Sequence, residues 1–282
     1  MTEAVSTSPP GTYEFLAVQR RGPVLDVRLS RPEARNALTF ALGAEWDAVL
    51  DEAESDDGVR VVTLTGEGPV FSAGHDLKEV AGGYANRDSA HGTAWERQRP
   101  SLPRSWYFPK PIVAGVHGYV GPAANHLLAP CDFVIAVTGT RFSFEQTRMG
   151  GGGAGGTVIA FQVPMRALKK LYMLGGWFDA DTALEWQYVQ RVVPSVEEMR
   201  AEVARWADDL AKVPEAQIAS AKEGIRRIYE LMGLLNVAGV GNKVSGHGST
   251  RDKSFFEMVQ EKGLREALRQ RDSAFDTNIS KI

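Results

Sequence analysis

Apolar residues at Val24, Leu25, Val27 and Leu29 largely alternate with charged ones, and Phe15 to Leu29 is predicted as two strands joined at Arg21-Gly22-Pro23. Arg31-Pro32-Glu33-Ala34-Arg35-Asn36 reads as a polar loop. Leu38, Leu42, Trp46 and Leu50 then fall on one helical stripe, which Asp56-Asp57-Gly58 stops. Val59 to Thr65 is predicted as a buried strand. The order then returns: Pro111 to Val116 predicts a strand, Pro122 to Pro130 a helix and Phe133 to Val137 a strand. Successive strand–strand–helix units imply a layered α/β core rather than a barrel or a bundle. No internal period is regular enough for a solenoid.

The last third is predicted to be helical. Ser195 with Glu198 forms a capping box, and Met199, Val203, Trp206 and Leu210 mark the apolar stripe behind it. Pro214 ends that helix. A second, from about Glu215 to Leu235, is expected to turn Ile218, Ile225, Ile228 and Met232 inward. Gly239 to Thr250 reads as a loop and Phe255 to Arg271 as a final helix. Residues 1–13 are expected to be a flexible tail, 14–205 the core, and 206–282 a helical region covering a site or a subunit interface.

Composition narrows the classes of function. The 282 residues are 43% hydrophobic and 24% charged, enough to bury a substantial core without disulfides or metals. Net charge is −3 with no Lys- or Arg-rich run, which argues against a nucleic-acid partner. No stretch approaches the ~20 apolar residues of a membrane helix. The N-terminal residues lack the basic start and apolar stretch of a secretory signal. Cys131 stands alone in an apolar run, so it reads as a buried small hydrophobe, and the lack of an internal disulfide fits a cytoplasmic location. His91, His117 and His247 show no metal-ligand spacing, and no metal is expected.

Three segments carry candidate chemistry. Phe71-Ser72-Ala73-Gly74-His75-Asp76-Leu77-Lys78 places small residues at a strand end, where a ligand can approach the backbone. Lys110-Pro111-Ile112-Val113-Ala114 runs through Gly118-Tyr119 into Gly121-Pro122-Ala123-Ala124-Asn125-His126, a strand entering a glycine turn that opens a helix. Pro122 suits a first helical turn. The N–H of Ala123 lacks an intrahelical partner, at the helix end that favours negative charge. His126, three residues on, faces the same side and can transfer protons near neutral pH. An anion-stabilising amide beside a proton-transfer group is what enolate chemistry requires. The third segment, Phe142-Ser143-Phe144-Glu145-Gln146-Thr147-Arg148-Met149, leads into a glycine run from Gly150 to Gly156. That run satisfies G-x-G-x-x-G but lacks the tight strand–helix setting and the acid of a dinucleotide site.

These segments, in this order and spacing, resemble the crotonase (enoyl-CoA hydratase/isomerase) superfamily. Arg31-Pro32-Glu33-Ala34-Arg35-Asn36-Ala37-Leu38 matches its R-P-x-x-x-N-A-L, and Ala183-Leu184-Glu185-Trp186 through Arg191-Val192-Val193-Pro194 matches the stretch that closes its core. The likeness spans roughly residues 14 to 235. It implies an α/β spiral of ββα units with a C-terminal helical region, and homotrimers often paired into homohexamers. It implies an oxyanion hole of two backbone N–H groups, by position those of His75 and Ala123. It implies an acyl-CoA thioester substrate, coenzyme A entering as part of that substrate with no other cofactor. By position the CoA and substrate contacts fall on Ala34, Arg35, Ala37, Ala73, Asp76, Leu77, Lys78, Tyr119, Pro122 and Met149. Lys78 and Lys222 are candidates for the CoA phosphates, and Trp106, Tyr107 and Phe108 are core, interface or acyl-pocket residues.

The sequence departs from the pattern where hydratases of the family carry two glutamates. The first position holds His126 and the second Gln146, with Glu145 one residue away. Glutamine can hydrogen-bond but not exchange a proton near neutral pH. The candidate catalytic residues are therefore His126 with Gln146 or Glu145. The expected activity is acyl-CoA hydration or isomerisation, as in fatty acid metabolism, through a thioester enolate. Hydrolysis of a C–C bond in a β-diketone or cyclic β-keto thioester is the alternative enzyme class, and a non-catalytic acyl-CoA binder the alternative outside enzymes.

Overall fold

The computed structural model describes residues 13–80, 103–149, 158–236, 254–273 and 275. All of the expected tail but Tyr13, the glycine run after Met149 and the Gly239 to Thr250 loop lie outside them. A six-stranded sheet forms the spine. Its strands are β1 (Leu16–Arg21), β2 (Val24–Leu29), β3 (Val61–Gly66), β4 (Ile112–Val116), β6 (Phe133–Val137) and β9 (Arg191–Val193), side by side in that order. The β1–β2 hairpin is antiparallel and turns at Gly22, whose φ of 57° suits glycine. Every later pairing in this sheet is parallel. A second sheet holds β5 (Tyr119–Val120), β7 (Arg141–Ser143) and β8 (Trp177–Asp179). β4 passes to β5 and β6 passes to β7, so these two turns each give one strand to each sheet.

Parallel strands buried on both faces read as continuous apolar runs, and β3 and β4 are buried throughout. Alternation still sorts the two faces. Leu64, Ile112, Ala114, Val134 and Ala136 join the main core, under α1 (Phe40–Ser55) and the second sheet. Val61, Val113, Ile135 and Val193 point the other way, onto Met199, Val203 and Ala207 of the helix Val196–Lys212. Gly115 allows that close approach: a methyl group there would lie 2.8 Å from Val203 and closer still to Met199. Ser195 caps this helix, its hydroxyl accepting from the Glu198 N–H, as the capping box predicts. The helix runs without a break past residue 205, where the sequence suggested a division.

Four expectations need correction. Leu38 precedes α1, which Thr39 caps, and forms instead an isolated parallel bridge to His75. The helix Glu215–Leu231 buries no residue, and Ile225, Ile228 and Met232 are 56%, 57% and 62% exposed rather than turned inward. It holds the core through Tyr229, which packs on Trp106 and Phe161, and through Lys222, which donates to Asp132 and to the Lys110 carbonyl rather than standing free for a CoA phosphate. The final helix is two helices, Ser254–Lys262 and Leu264–Ser273, broken at Gly263 with φ 83°. The short strands β5, β7 and β8 carry too few residues for alternation to reveal them. Cys131 is buried as expected, and burial pushes its thiol well above its ordinary range. No helix among the described residues is long and apolar enough to cross a membrane.

Met199 carries the second core and is fully buried. Met199→Ala is expected to destabilise the protein by about 2–5 kcal/mol in chemical denaturation.

Candidate active site

The site is assembled first from backbone. Asn36, buried with φ 50°, accepts from the Arg31 N–H and donates to the carbonyls of Glu67, Val70 and Phe71. It clasps the loop after the 3-10 turn Pro32–Ala34 to the turn that follows β3. Ser72 extends the clasp, its hydroxyl donating to the Asn36 carbonyl at 2.7 Å. The Ala73 N–H donates to the Arg35 carbonyl, and the Leu38–His75 bridge continues the line through Leu38 N–H to Gly74 C=O and Asp76 N–H to Leu38 C=O. Because those bonds belong to the flanking residues, the His75 N–H is directed away from Leu38. Asp76 then caps the helical turn at residues 77–80 through the N–H groups of Lys78 and Glu79.

The other edge of this segment meets the helix Pro122–Leu128. Ser72 bridges Val120, and the Gly121 N–H donates to the Ser72 carbonyl at 2.8 Å. A methyl group on Gly121 would lie 2.7 Å from the Gly74 nitrogen and closer still to the Ala73 carbonyl. Gly74 has φ 90°, and a methyl group there would stand 3.3 Å from both the Pro122 and Ala123 nitrogens. Glycine at both positions thus brings the backbone before His75 against the helix start that carries Ala123. Pro122 opens that helix, and the first intrahelical bond runs from Asn125 N–H to Gly121 C=O. Asn125 fixes its orientation, donating to the Ser143 carbonyl and accepting from the Tyr188 hydroxyl. His126 follows, half-buried in the last turn.

The segment after β7 forms a 3-10 helix, Glu145–Met149. It separates the two acid–amide candidates. Glu145 is buried, and its carboxylate is engaged by Arg141, by Arg271 at 3.4 Å and by the Tyr119 hydroxyl at 3.4 Å. Gln146 has a buried side-chain oxygen with no hydrogen-bond partner. Tyr119 is accordingly turned toward Glu145; burial, and after it the Glu145 charge, raise its hydroxyl pKa. Ala34 and Ala73 are half-buried, Arg35 and Lys78 exposed, and Leu77 and Met149 half-buried. Ala37 is buried, and its carbonyl accepts from Arg31, which also pairs with Asp76 at 3.5 Å. Trp106 packs edge-on against Tyr229, Phe108 is in the main core and Tyr107 is exposed. Among the described residues no cluster of His, Cys, Asp and Glu could hold a metal ion. Sequence reasoning missed Arg141, Arg148 and Arg271 around the 145–149 turn, and the role of Asn36 as a clasp, although Asn36 stands in the quoted R-P-x-x-x-N-A-L pattern.

The enoyl-CoA hydratase/isomerase family model matches residues 19–275. The chain belongs to that family. It is 30% identical over 218 residues to the enoyl-CoA hydratase domain-containing protein 3, mitochondrial, of Rattus norvegicus, covering 76% of this chain and 71% of that one. It is 33% identical over 220 residues to the 2,3-dehydroadipyl-CoA hydratase of Escherichia coli K12, covering 77% and 83%. The crystal structure of an enoyl-CoA hydratase/isomerase from Xanthobacter autotrophicus Py2 superposes with a TM-score of 0.83 at 28% identity, covering 94% of this chain and all of the other. The α/β architecture is therefore the crotonase fold.

Two outcomes follow from this packing. Gly121→Ala is expected to separate the Ala73–Gly74 backbone from the helix start. A reduction in activity on the order of 10²-fold is expected if an amide donor is displaced, measured beside a thermal melt. The second concerns His117, at the end of β4, whose Nε2 bonds the Gly68 carbonyl at 2.9 Å while Nδ1 is buried without a partner. Burial lowers its pKa below the ordinary 6.5. Below pH 6.5 the unfolded chain takes up a proton that the folded chain refuses, so stability falls with pH until the folded ring itself protonates. Melting temperature should drop on acidification from neutral pH, and His117→Gln should flatten that slope.

Proposed function

We propose that the protein is an acyl-CoA enzyme of the hydratase/isomerase type that stabilises a thioester enolate between the backbone N–H groups of His75 and Ala123. The carrying observation is the contact of Gly74 with the Pro122–Ala123 helix start. Donors fixed in a rigid backbone need no reorganisation as charge develops on the thioester oxygen. His126 follows Ala123 by one helical turn and is the group assigned to move the proton. Gln146 orients substrate or water through its amide, since Glu145 is held by Arg141 and Arg271. Family membership and relatives named for CoA-thioester hydration support this reading.

The ion pairs of Glu145 also favour a second reading. With neither glutamate of a two-carboxylate site in place, a histidine-based site suits attack of water on a ketone. Hydrolysis of a β-diketone or cyclic β-keto thioester would release a carboxylic acid.

A panel of 2-enoyl-CoA thioesters, followed by loss of the conjugated thioester absorbance with products weighed by mass, tests the first reading. Gain of one water is the expected result. His126→Ala should lower turnover by about 10²–10⁴-fold while CoA-ester binding survives. No turnover across the enoyl panel, together with acid release from β-diketones, would replace hydration by hydrolysis.

A further inference from the structure

The 3-10 helix Glu145–Met149 has distinct faces. With three residues per turn, side chains at i and i+3 eclipse. Glu145 therefore stands over Arg148, and Gln146 over Met149. The first pair engages the end of the chain. Glu145 Oε2 lies 3.4 Å from Arg271 Nη2, and Arg148 Nη1 lies 3.7 Å from Asp272 Oδ1. The Arg148 guanidinium stacks 4.0 Å from the centre of the Phe275 ring. Arg271 in turn forks onto Asp272 with two bonds of 2.8 Å. The Glu145–Arg271 pair is buried, its side chains 8% and 9% exposed, and Arg148 is 4% exposed, while Asp272 at 47% lies at the surface.

Glu145 is gripped from two sides. Arg141 comes from β7, four residues earlier, and ties the carboxylate to the sheet. Arg271 comes from the helix Leu264–Ser273, 126 residues later. The far end of the turn is tied separately, Thr147 to the Tyr172 carbonyl at 2.7 Å and Arg148 to the Leu174 carbonyl at 2.9 Å, so losing Arg271 loosens the turn at its Glu145 end. Successive side chains of a 3-10 helix stand about 120° apart, so even a partial twist at that end turns the buried, unpartnered oxygen of Gln146 from its present direction.

We propose that Arg271 is a positioning residue: through Glu145 it sets the rotation of the 145–149 turn and thereby aims Gln146. This rests on the reading of Gln146 as the group that orients substrate or water. Arg271 makes no contact with the reacting atoms in this scheme. Its effect belongs to turnover and not to CoA-ester affinity, because the proposed amide donors come from the separate 75 and 123 segments.

The test compares wild type, Arg271→Ala, Arg271→Lys, Glu145→Gln and the double variant Arg271→Ala/Glu145→Gln. Steady-state kinetics use the thioester that the substrate panel identifies, and hydrogen exchange is read in peptides spanning 145–149. Arg271→Ala should lower kcat by about 10–100-fold, the scale of an ångström-sized misplacement, with KM changed less than about threefold. Arg271→Lys should restore part of the loss, and the double variant should be no worse than Glu145→Gln alone. Exchange in 145–149 should quicken in Arg271→Ala while β3 stays protected. Because Glu145 keeps Arg141 and Tyr119 in that variant, the fold is expected to stand, and a melt verifies it. Losses that multiply in the double variant, or exchange and kcat both unchanged in Arg271→Ala, would overturn the proposal. If wild type turns over no thioester, the functional reading fails and hydrogen exchange alone decides the clasp: quickened exchange supports it, unchanged exchange overturns it.

Discussion

The contact on which the site depends is one of backbone against backbone. Gly121 lies so close to Ala73 and Gly74 that any side chain would collide with peptide atoms. Peptide atoms cannot swing aside as a side-chain tip can, so the constraint is absolute in a way that Gly115 against Met199 is not. From this contact follow the Ser72–Val120 bridge, the joining of the two sheets beside it, and the placement of a helix start against the His75 segment. Asn36 serves the same contact from the far side. Its amide holds three carbonyls of the turn that delivers Ser72, leaving none of that buried hydrogen-bonding capacity idle.

Charge around the site is distributed by the same economy. Buried carboxylates persist only when paired, and Glu145 is paired on both oxygens. What remains unengaged beside it is an amide oxygen, that of Gln146. An amide in that position orients a hydrogen-bond donor but neither takes up nor releases a proton. In the proposed scheme proton transfer falls to the one titratable side chain of the Pro122–Leu128 helix, His126. The division proposed here, orientation by an amide and transfer by an imidazole, differs from a pair of carboxylates sharing both tasks around one water.

The sheet was legible because its strands are buried on both faces and its alternation is strong, as Val61 and Leu64 on opposite faces show. The helix Val196–Lys212 was legible from Ser195 and its stripe. Leu38 was misplaced because its spacing to Leu42 is helical, while Thr39, the actual cap, outcompetes it locally. The stripe of Ile225, Ile228 and Met232 was read at the right spacing but assigned the wrong side. Periodicity reports that a face is apolar and cannot say what covers it. Glu145 and Gln146 could not be told apart by position, since a one-residue difference in a short turn is a matter of rotation. Arg271 left no sequence signal at all, because its partner is 126 positions away.

The proposed amide donors belong to the main chain, so the identities of the side chains at 75 and 123 matter little to them. What protects such donors is the glycine at 74 and 121, which is a condition on shape. Side chains at 126, 146 and 149 are not part of that backbone contact, so the contact itself does not dictate them. A fold built this way can keep one means of stabilising an enolate while the proton-transfer set is exchanged. If the Arg271 proposal holds, the last helix adds a second layer of control, because its arginine reaches the turn that bears one of those side chains. On that proposal, changes in the helix would retune the reaction without touching the backbone contact proposed to stabilise the enolate.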